Sequence, residues 1–255
     1  MTSPILVTGG TGLLGRLVTP LLRDAGHDLR VLSRHHHEAE SGIEYVNCDL
    51  LKGEGIDPAV DGVETLLHLA GGTKGDAEAT QNLTRAASRA GVKHIIYISV
   101  IGADKMPLGY FKMKYGAEKA VSESGLPWTT IRAAQVHDLV LKIVGGMAKM
   151  PVVPIPGGLR FQPVDAAEVS TRLAELTLGK PAGLVPDIAG PKVYGMNELV
   201  PAYLQARGKK RMKMPVRVPG KAGKAYRAGE NLNLDTAEVG KRTWEDFLTE
   251  RVSTS

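Results

Sequence analysis

The sequence predicts an α/β fold: a doubly wound parallel sheet carrying a smaller C-terminal lobe. Three observations point there. Short apolar runs alternate with stretches of helical spacing as far as Met150, the pattern of βαβ units with parallel pairing and right-handed crossovers. The first run feeds a glycine-rich turn that opens a helix, "VTGGTGLLGR". After Met150 the alternation dissolves into Pro- and Gly-rich pieces such as "PVVPIPGG".

Taken in order, "PILVT" (4–8) is a strand ending at glycines, and "GLLGRLVTPLLRDAG" has helical spacing up to a C-cap at Gly26. "DLRVLSR" and "IEYVNCDL" read as the second and third strands. "VETLLHLAGG" is a continuous apolar run, which marks a strand buried on both faces. "DAEATQNLTRAASRAG" is a helix with Asp76 as N-cap and Gly91 at its end. "KHIIYISV" is a fifth strand, "GYFKMKYGAEKAVSESG" (109–125) a helix, "PWTTIRA" a sixth strand and "HDLVLKIVGGMAKM" a further helix. The last third holds one clear helix, "DAAEVSTRLAELTLG", among irregular pieces. The expected division is a nucleotide-binding domain over 1–150 and a lobe over 151–255, which does not fold alone and covers the sheet's carboxyl edge. Ligands bind along that edge in such sheets.

The 255 residues, 43% hydrophobic and 23% charged, describe an ordinary globule. No stretch approaches the ~18 to 20 apolar residues a membrane helix needs, so no membrane partner is expected. The N-terminus runs almost at once into a strand, leaving no room for a secretory leader. A single cysteine, Cys48, excludes an internal disulfide and points to a reducing cytoplasm. Of the net charge of +5, nine cations and no acid fall between Arg207 and Arg227, which leaves −4 on the remainder. A solvated or dimer-rim surface is the first reading of that segment, an anionic ligand the second; nucleic acid is disfavoured, since Tyr226 is its one aromatic. A homo-oligomer is left open.

The turn satisfies Gly-x-Gly-x-x-Gly from Gly10 and Gly-x-x-Gly-x-x-Gly from Gly9. Such spacing gives a tight turn, close approach of backbone N–H groups to a pyrophosphate at a helix N-terminus, and helix-to-strand packing. Placed between a strand and a helix at the head of a βαβ repeat, it predicts Rossmann-type dinucleotide binding. The cradle is Gly9, Gly10, Thr11, Gly12, Leu13, Leu14 and Gly15. An acid after the second strand would bond a ribose 2′-hydroxyl and repel a 2′-phosphate. This chain instead reads Leu32-Ser33-Arg34, with no acid until Glu38. Arg34 is the 2′-phosphate clamp, Ser33 its helper and Arg16 a second candidate, so NADP(H) is favoured and NAD(H) remains an option. The adjacent "HHH" (35–37) reads as exposed loop, because consecutive histidines cannot all face one ion; no metal is expected.

With these residues in place, the chain resembles the atypical short-chain dehydrogenase/reductases of the NmrA-like NAD(P)-binding group over essentially its whole length. "VTGGTGLLGR", "CDL" (48–50), "GVKHIIYISVIGAD", "SGLPWTTIR" and "FQPVDAAEVS" carry the resemblance. It implies that Asp49 bonds the adenine amino group beside Leu50, that Leu69, Ala70 and Gly71 line the cofactor ribose, and that Ser99, Tyr110 and Lys114 stand at the catalytic Ser, Tyr and Lys positions. Arg132-Ala133-Ala134-Gln135 departs from the group, where a proline often shapes the nicotinamide pocket.

Tyr-x-x-x-Lys occurs twice, as Tyr110/Lys114 and Tyr115/Lys119. On a helical wheel the apolar arc of Met113, Ala117, Ala120, Val121 and Ser124 lies ~45° from Tyr110, ~85° from Lys114 and ~175° from Tyr115. The first pair therefore flanks the sheet and the second faces water. Residues four apart share a helical face, and an ammonium near a phenol favours phenolate. Tyr110 then exchanges a proton with substrate while a nicotinamide exchanges a hydride, and Ser99 holds the substrate oxygen. By resemblance Lys114 also bonds the nicotinamide ribose. Thr73 and Lys74, and Gln135 and His137, are lesser pocket candidates. His68 reads as a satisfied core histidine, Tyr194 and Trp244 as lobe core, and Glu118 as a local ion pair.

The expected function is an NADP(H)-dependent oxidoreductase acting on a small carbonyl or alcohol. One alternative is a cofactor-sensing regulatory protein without turnover, as in some members of the NmrA-like group. A nucleotide-sugar epimerase or dehydratase is the other, disfavoured because the last third is short for a nucleotide-sugar lobe.

Overall fold

The structure is a computed structural model that describes residues 3–38, 40–72 and 75–252. In chain order its elements begin β1 (Ile5–Thr8), α1 (Leu13–Asp24), β2 (Leu29–Ser33), β3 (Ile43–Asn47), α2 (Ile56–Val60), β4 (Thr65–His68), α3 (Asp76–Ala90) and β5 (His94–Val100). They continue with α4 (Gly109–Ser122), β6 (Trp128–Ala133), α5 (His137–Met147), β7 (Val152–Pro156), β8 (Arg160–Phe161) and α6 (Ala166–Leu178). The chain ends with β9 (Gly183–Leu184), β10 (Ile188–Ala189), β11 (Tyr194–Gly195), α7 (Met196–Ala206), β12 (Met212–Val216), α8 (Gly220–Ala228), β13 (Glu238–Val239) and α9 (Trp244–Val252).

The fold is α/β and Rossmann-like, as expected. Its main sheet has nine strands in the order β13-β10-β6-β5-β4-β1-β2-β3, with β9 paired to β6. The pairs β1–β2, β1–β4, β2–β3 and β4–β5 are all parallel. The strand order reverses between β1 and β4, which makes the crevice beyond their carboxyl ends the switch point where ligands bind in doubly wound sheets.

Two compact units interleave along the chain. The first comprises Met1–Ser99, Lys112–Ile131 and Ala167–Val185; the second comprises Val100–Phe111, Arg132–Ala166 and Pro186–Ser255. Neither is one continuous stretch, and the late helix α6 belongs to the first. The first unit's core joins Leu6 and Leu66 of the central strands to Leu83 of α3 and to Ala117 and Val121 of α4. That is the apolar arc expected of α4. The second unit has its own core of Val144, Val153, Tyr194, Leu199, Trp244 and Phe247, so Tyr194 and Trp244 are core residues.

Local chemistry corrects two readings. Asp76 is the first residue of α3 rather than its cap; Gly75 precedes the helix in a left-handed conformation, and the Asp76 carboxylate faces other partners. "PVVPIPGG" is not irregular: it supplies β7, which pairs in parallel with β12 as a separate two-stranded ribbon. Its prolines hid it, because Pro removes a ladder donor and is tolerated on edge strands.

Candidate functional site

A cleft of about 370 Å³ opens in the first unit. Gly9, Thr11 and Gly12 of the glycine turn line it, as do Ser33 and Arg34 after β2, Asp49 and Leu50 after β3, and Leu69, Ala70 and Gly71 after β4. Gly10, Leu13, Leu14 and Gly15 do not line it; Gly15 is buried and Leu13 exposed. Gly9 has φ +68°, and a Cβ there would stand 2.7 Å from the Ala70 nitrogen. A Cβ on Gly15 would stand 2.4 Å from the carbonyl oxygens of Gly9 and Gly10. The turn is closed by Gly12 N–H donating to Gly9 O at 2.9 Å.

No side chain caps α1 and its first turn carries no acid. Its positive end and its first-turn N–H groups are thus presented to an anion. The residues present fit a dinucleotide: a tight turn in which a Cβ at Gly9 or Gly15 would strike main chain, at an uncapped helix start.

At the end of β2, Ser33 is buried and Arg34 and the following histidines His35 and His36 are exposed. Ser33 Oγ accepts the His35 N–H at 3.1 Å and pairs with His37 Nε2 at 2.9 Å. His37 in turn stacks on Tyr45. Arg34 is therefore carried on a tied loop beside the cleft. Arg16 is exposed and is not among the residues that line the cleft; its Nε donates to the Thr11 carbonyl at 2.8 Å. Asp49 Oδ1 accepts the N–H groups of Leu51 and Lys52, which fixes the carboxylate on its loop. Thr73 and Lys74 lie outside the described residues.

Beneath the cleft runs a buried polar chain. Thr8 Oγ1 accepts the N–H groups of Leu69 and Ala70, so its hydroxyl proton goes to His68 Nδ1 at 2.7 Å. Thr80 donates to the Asp76 carbonyl, so it accepts from His68 Nε2–H at 3.0 Å. That network assigns the imidazole one neutral tautomer. His68 is the satisfied core histidine the sequence implied. Burial, with a smaller push from the Lys114 ammonium, lowers its pKa to about 3.

The sign of the linkage follows. Between its unfolded value near 6.5 and about 3, the unfolded chain binds a proton that the folded chain does not. Folding stability should therefore fall as pH drops through that window, by up to ~1.4 kcal/mol per pH unit from this group. Urea unfolding between pH 7 and pH 4 (roughly spanning that window) checks this. His68→Gln should flatten the slope, and an unchanged slope would contradict the assignment.

Lys114 is the unexpected member. The helical wheel put it on a shoulder farther from the apolar arc than Tyr110, yet Lys114 is 6% exposed and Tyr110 44%. The reason is its partners. Its Nζ donates to Tyr97 Oη at 3.3 Å and lies 3.7 Å from Asp76 Oδ2. Asp76 Oδ1 accepts the Gly72 N–H, and Gly72 itself lines the cleft. A Cβ on Gly71 would meet Lys114 Nζ at 2.9 Å, which places the ammonium directly behind a cleft-lining glycine. Burial lowers the lysine's pKa, opposed by the charges of Asp76 and then Glu118. Glu118 is itself buried. Asp76 and Tyr97 were missed as site residues: the one carried a capping signal and the other sat in an apolar strand.

Ser99 is buried, and its Oγ has no hydrogen-bond partner among the described residues. Tyr110 stands in the first turn of α4, within the second unit, edge-on to Phe111. Tyr115 and Lys119 are both exposed, with the Lys119 ammonium over the Tyr115 ring. In the second unit, His137 is fully buried against Trp244 and Phe247, which stack on each other, and lies 3.9 Å from Asp165. Gln135 Oε1 is buried without a hydrogen-bond partner among the described residues.

The profile of a family described as NAD(P)H-binding matches residues 9–140. A protein of Arabidopsis thaliana named High chlorophyll fluorescence phenotype 244, chloroplastic, is 29% identical over 77% of this chain and 53% of its own. This chain thus spans about half the length of that relative. A (4-alkanoyl-5-oxo-2,5-dihydrofuran-3-yl)methyl phosphate reductase from Streptomyces griseus is 29% identical over 76% of this chain and 70% of its own. Among solved structures, an NADPH-dependent quinone oxidoreductase of Escherichia coli in complex with NADPH superposes with a TM-score of 0.81 at 20% identity, covering 97% of this chain and 99% of that one. No helix among the described residues is long and apolar enough to cross a membrane.

Proposed function

This chain belongs to the NAD(P)H-binding family, and from that premise we propose that it is an NADP(H)-dependent oxidoreductase moving a hydride to or from a small carbonyl or alcohol. The observation that supports this best is the cleft itself. It presents an uncapped helix start and the Ser33-Arg34 loop to one ligand, while a buried lysine lies against Gly71 at its wall.

When bound, the nicotinamide supplies or accepts the hydride. The other work falls to the chain. The turn of Gly9, Gly10, Thr11, Gly12, Leu13, Leu14 and Gly15 holds the diphosphate, Asp49 and Leu50 the adenine, and Leu69, Ala70 and Gly71 the ribose. Ser33 and Arg34 grip the 2′-phosphate. A guanidinium suits that group because it is always charged and donates in a fork. Lys114 is pinned by Asp76 and Tyr97 and holds the nicotinamide ribose through its remaining donors. Tyr110 gives or takes the proton at the substrate oxygen, and Ser99 bonds that oxygen.

The test is coenzyme selectivity together with turnover. NADPH consumption, followed by the absorbance of the reduced nicotinamide, should appear with at least one member of a carbonyl and quinone panel. Arg34→Ala should weaken NADPH binding by about 10- to 100-fold, the worth of a charged hydrogen bond, and leave NADH binding unchanged. Equal losses for the two coenzymes would remove Arg34 from the 2′-phosphate.

A further inference from the structure

We propose that Asp76 is a cofactor-binding residue: its Oδ2 accepts a hydroxyl of the nicotinamide ribose, so that Asp76 and Lys114 together clamp two neighbouring hydroxyls. This rests on the reading of the cleft as a dinucleotide site. Both residues belong to the first unit, and Asp76 lines the cleft. It opens α3 directly after the left-handed Gly75, where the positive end of the helix favours a carboxylate. The two oxygens of that carboxylate are used unequally. Oδ1 accepts the Gly72 N–H at 2.5 Å, which fixes the group against the loop after β4. Oδ2 is buried and has no hydrogen-bond partner among the described residues. Buried acceptors are rarely left in that condition.

Lys114 does not supply the missing donor. An ammonium bonded to a carboxylate stands about 2.7–2.9 Å from it, whereas Lys114 Nζ is 3.7 Å from Oδ2 and donates to Tyr97 Oη instead. The ammonium keeps donors to spare. The two groups nevertheless converge on one point: a Cβ on Gly71 would lie 2.9 Å from Lys114 Nζ and 3.3 Å from Asp76 Oδ2. Gly71 lacks the positive φ that would bar a side chain, so glycine serves there for space rather than for backbone freedom. It is exposed at the cleft wall, and the space it leaves adjoins a donor and an acceptor side by side. A phosphate would meet the Asp76 charge. Two neighbouring hydroxyls fit, one donating to Oδ2 and the other accepting from Nζ. In NADP(H) the adenosine 2′-hydroxyl carries the phosphate, so the nicotinamide ribose is the part with a free neighbouring pair. The carboxamide also gives and takes hydrogen bonds, but with Lys114 on the ribose the adjacent carboxylate meets the same sugar.

The experiment is calorimetric titration of the full chain with four probes: NADPH, adenosine 2′,5′-bisphosphate, and NADPH analogues whose nicotinamide ribose lacks the 2′- or the 3′-hydroxyl. Asp76→Asn keeps an acceptor for the Gly72 N–H and removes the charged one. It should weaken NADPH about 10- to 100-fold, the worth of a hydrogen bond to a charged group, and leave the bisphosphate unchanged. The wild type should bind both deoxy analogues more weakly than NADPH, and in Asp76→Asn one of those two losses should vanish. Gly71→Ala keeps both charged groups but fills the space between them. It should weaken NADPH several-fold, again with the bisphosphate unchanged. Thermal melting accompanies each titration. If Asp76→Asn does not melt cooperatively, Gly71→Ala decides, and NADPH binding equal to wild type in that variant would overturn the proposal. Undiminished NADPH binding in a folded Asp76→Asn, equal losses for NADPH and the bisphosphate, or two analogue losses that persist in the variant would also overturn it. No NADPH binding by the wild type would instead remove the dinucleotide reading beneath it.

Discussion

Replacing Gly15 by alanine is expected to reduce NADPH affinity at least ~100-fold, a loss of about 3 kcal/mol. The added methyl would lie 2.4 Å from Gly10 Cα and from the carbonyl oxygens of Gly9 and Gly10. These are main-chain atoms, so no rotamer change relieves the overlap. The turn must move away from α1, and the N–H groups proposed to hold the diphosphate move with it. Overpacking of this kind also costs about 1–3 kcal/mol of stability, so thermal melting must accompany the titration. Gly146→Ala is the matched control. A Cβ there meets nothing within 4 Å and the position lies inside α5. That change should leave binding intact and raise stability by up to about 1 kcal/mol.

Tyr110→Phe should lower turnover by roughly 10²- to 10⁴-fold, the usual worth of a positioned proton donor, while NADPH affinity stays within about twofold. The substitution deletes one oxygen from a 44% exposed side chain, and thermal melting checks that the fold is kept. Lys114 is a poorer probe. Its removal leaves Asp76, 6% exposed, without its cation, and breaking a buried pair destabilises by a few kcal/mol. Tyr115→Phe should change nothing, because that ring is exposed beneath Lys119. Steady-state kinetics on the three proteins decides between them. Unchanged turnover in Tyr110→Phe would move the proton to another group.

Much of the cleft's lining was legible because its signals are local. A glycine turn must sit between a strand and a helix to work, and the residues after β2 and β3 follow their strands directly. The apolar arc of α4 was equally readable, since Ala117 and Val121 pack where a 3.6-residue period puts them. Lys114 was misjudged for burial because a wheel knows only its own helix. Its partners Asp76 and Tyr97 come from α3 and β5, and nothing in the spacing of α4 announces them. Asp76 misled in its own way: an acid at a helix start is also what a cap looks like. The β7–β12 ribbon was hidden twice, by prolines that read as loop and by a strand partner far along the chain. The basic run was visible as charge, but the alternating methionines within it acquire a face only once β7 fixes the register.

The central claim is that the cleft of the first unit takes a pyridine dinucleotide on the bare main chain of its first turn. A calorimetric titration of NADPH into the wild-type chain, run beside Gly15→Ala, tests it most directly. Saturable one-to-one binding to the wild type, with little or none to a variant that still melts cooperatively, is the predicted result. No uptake by the wild type at millimolar nucleotide, or equal uptake by the two proteins, would contradict it.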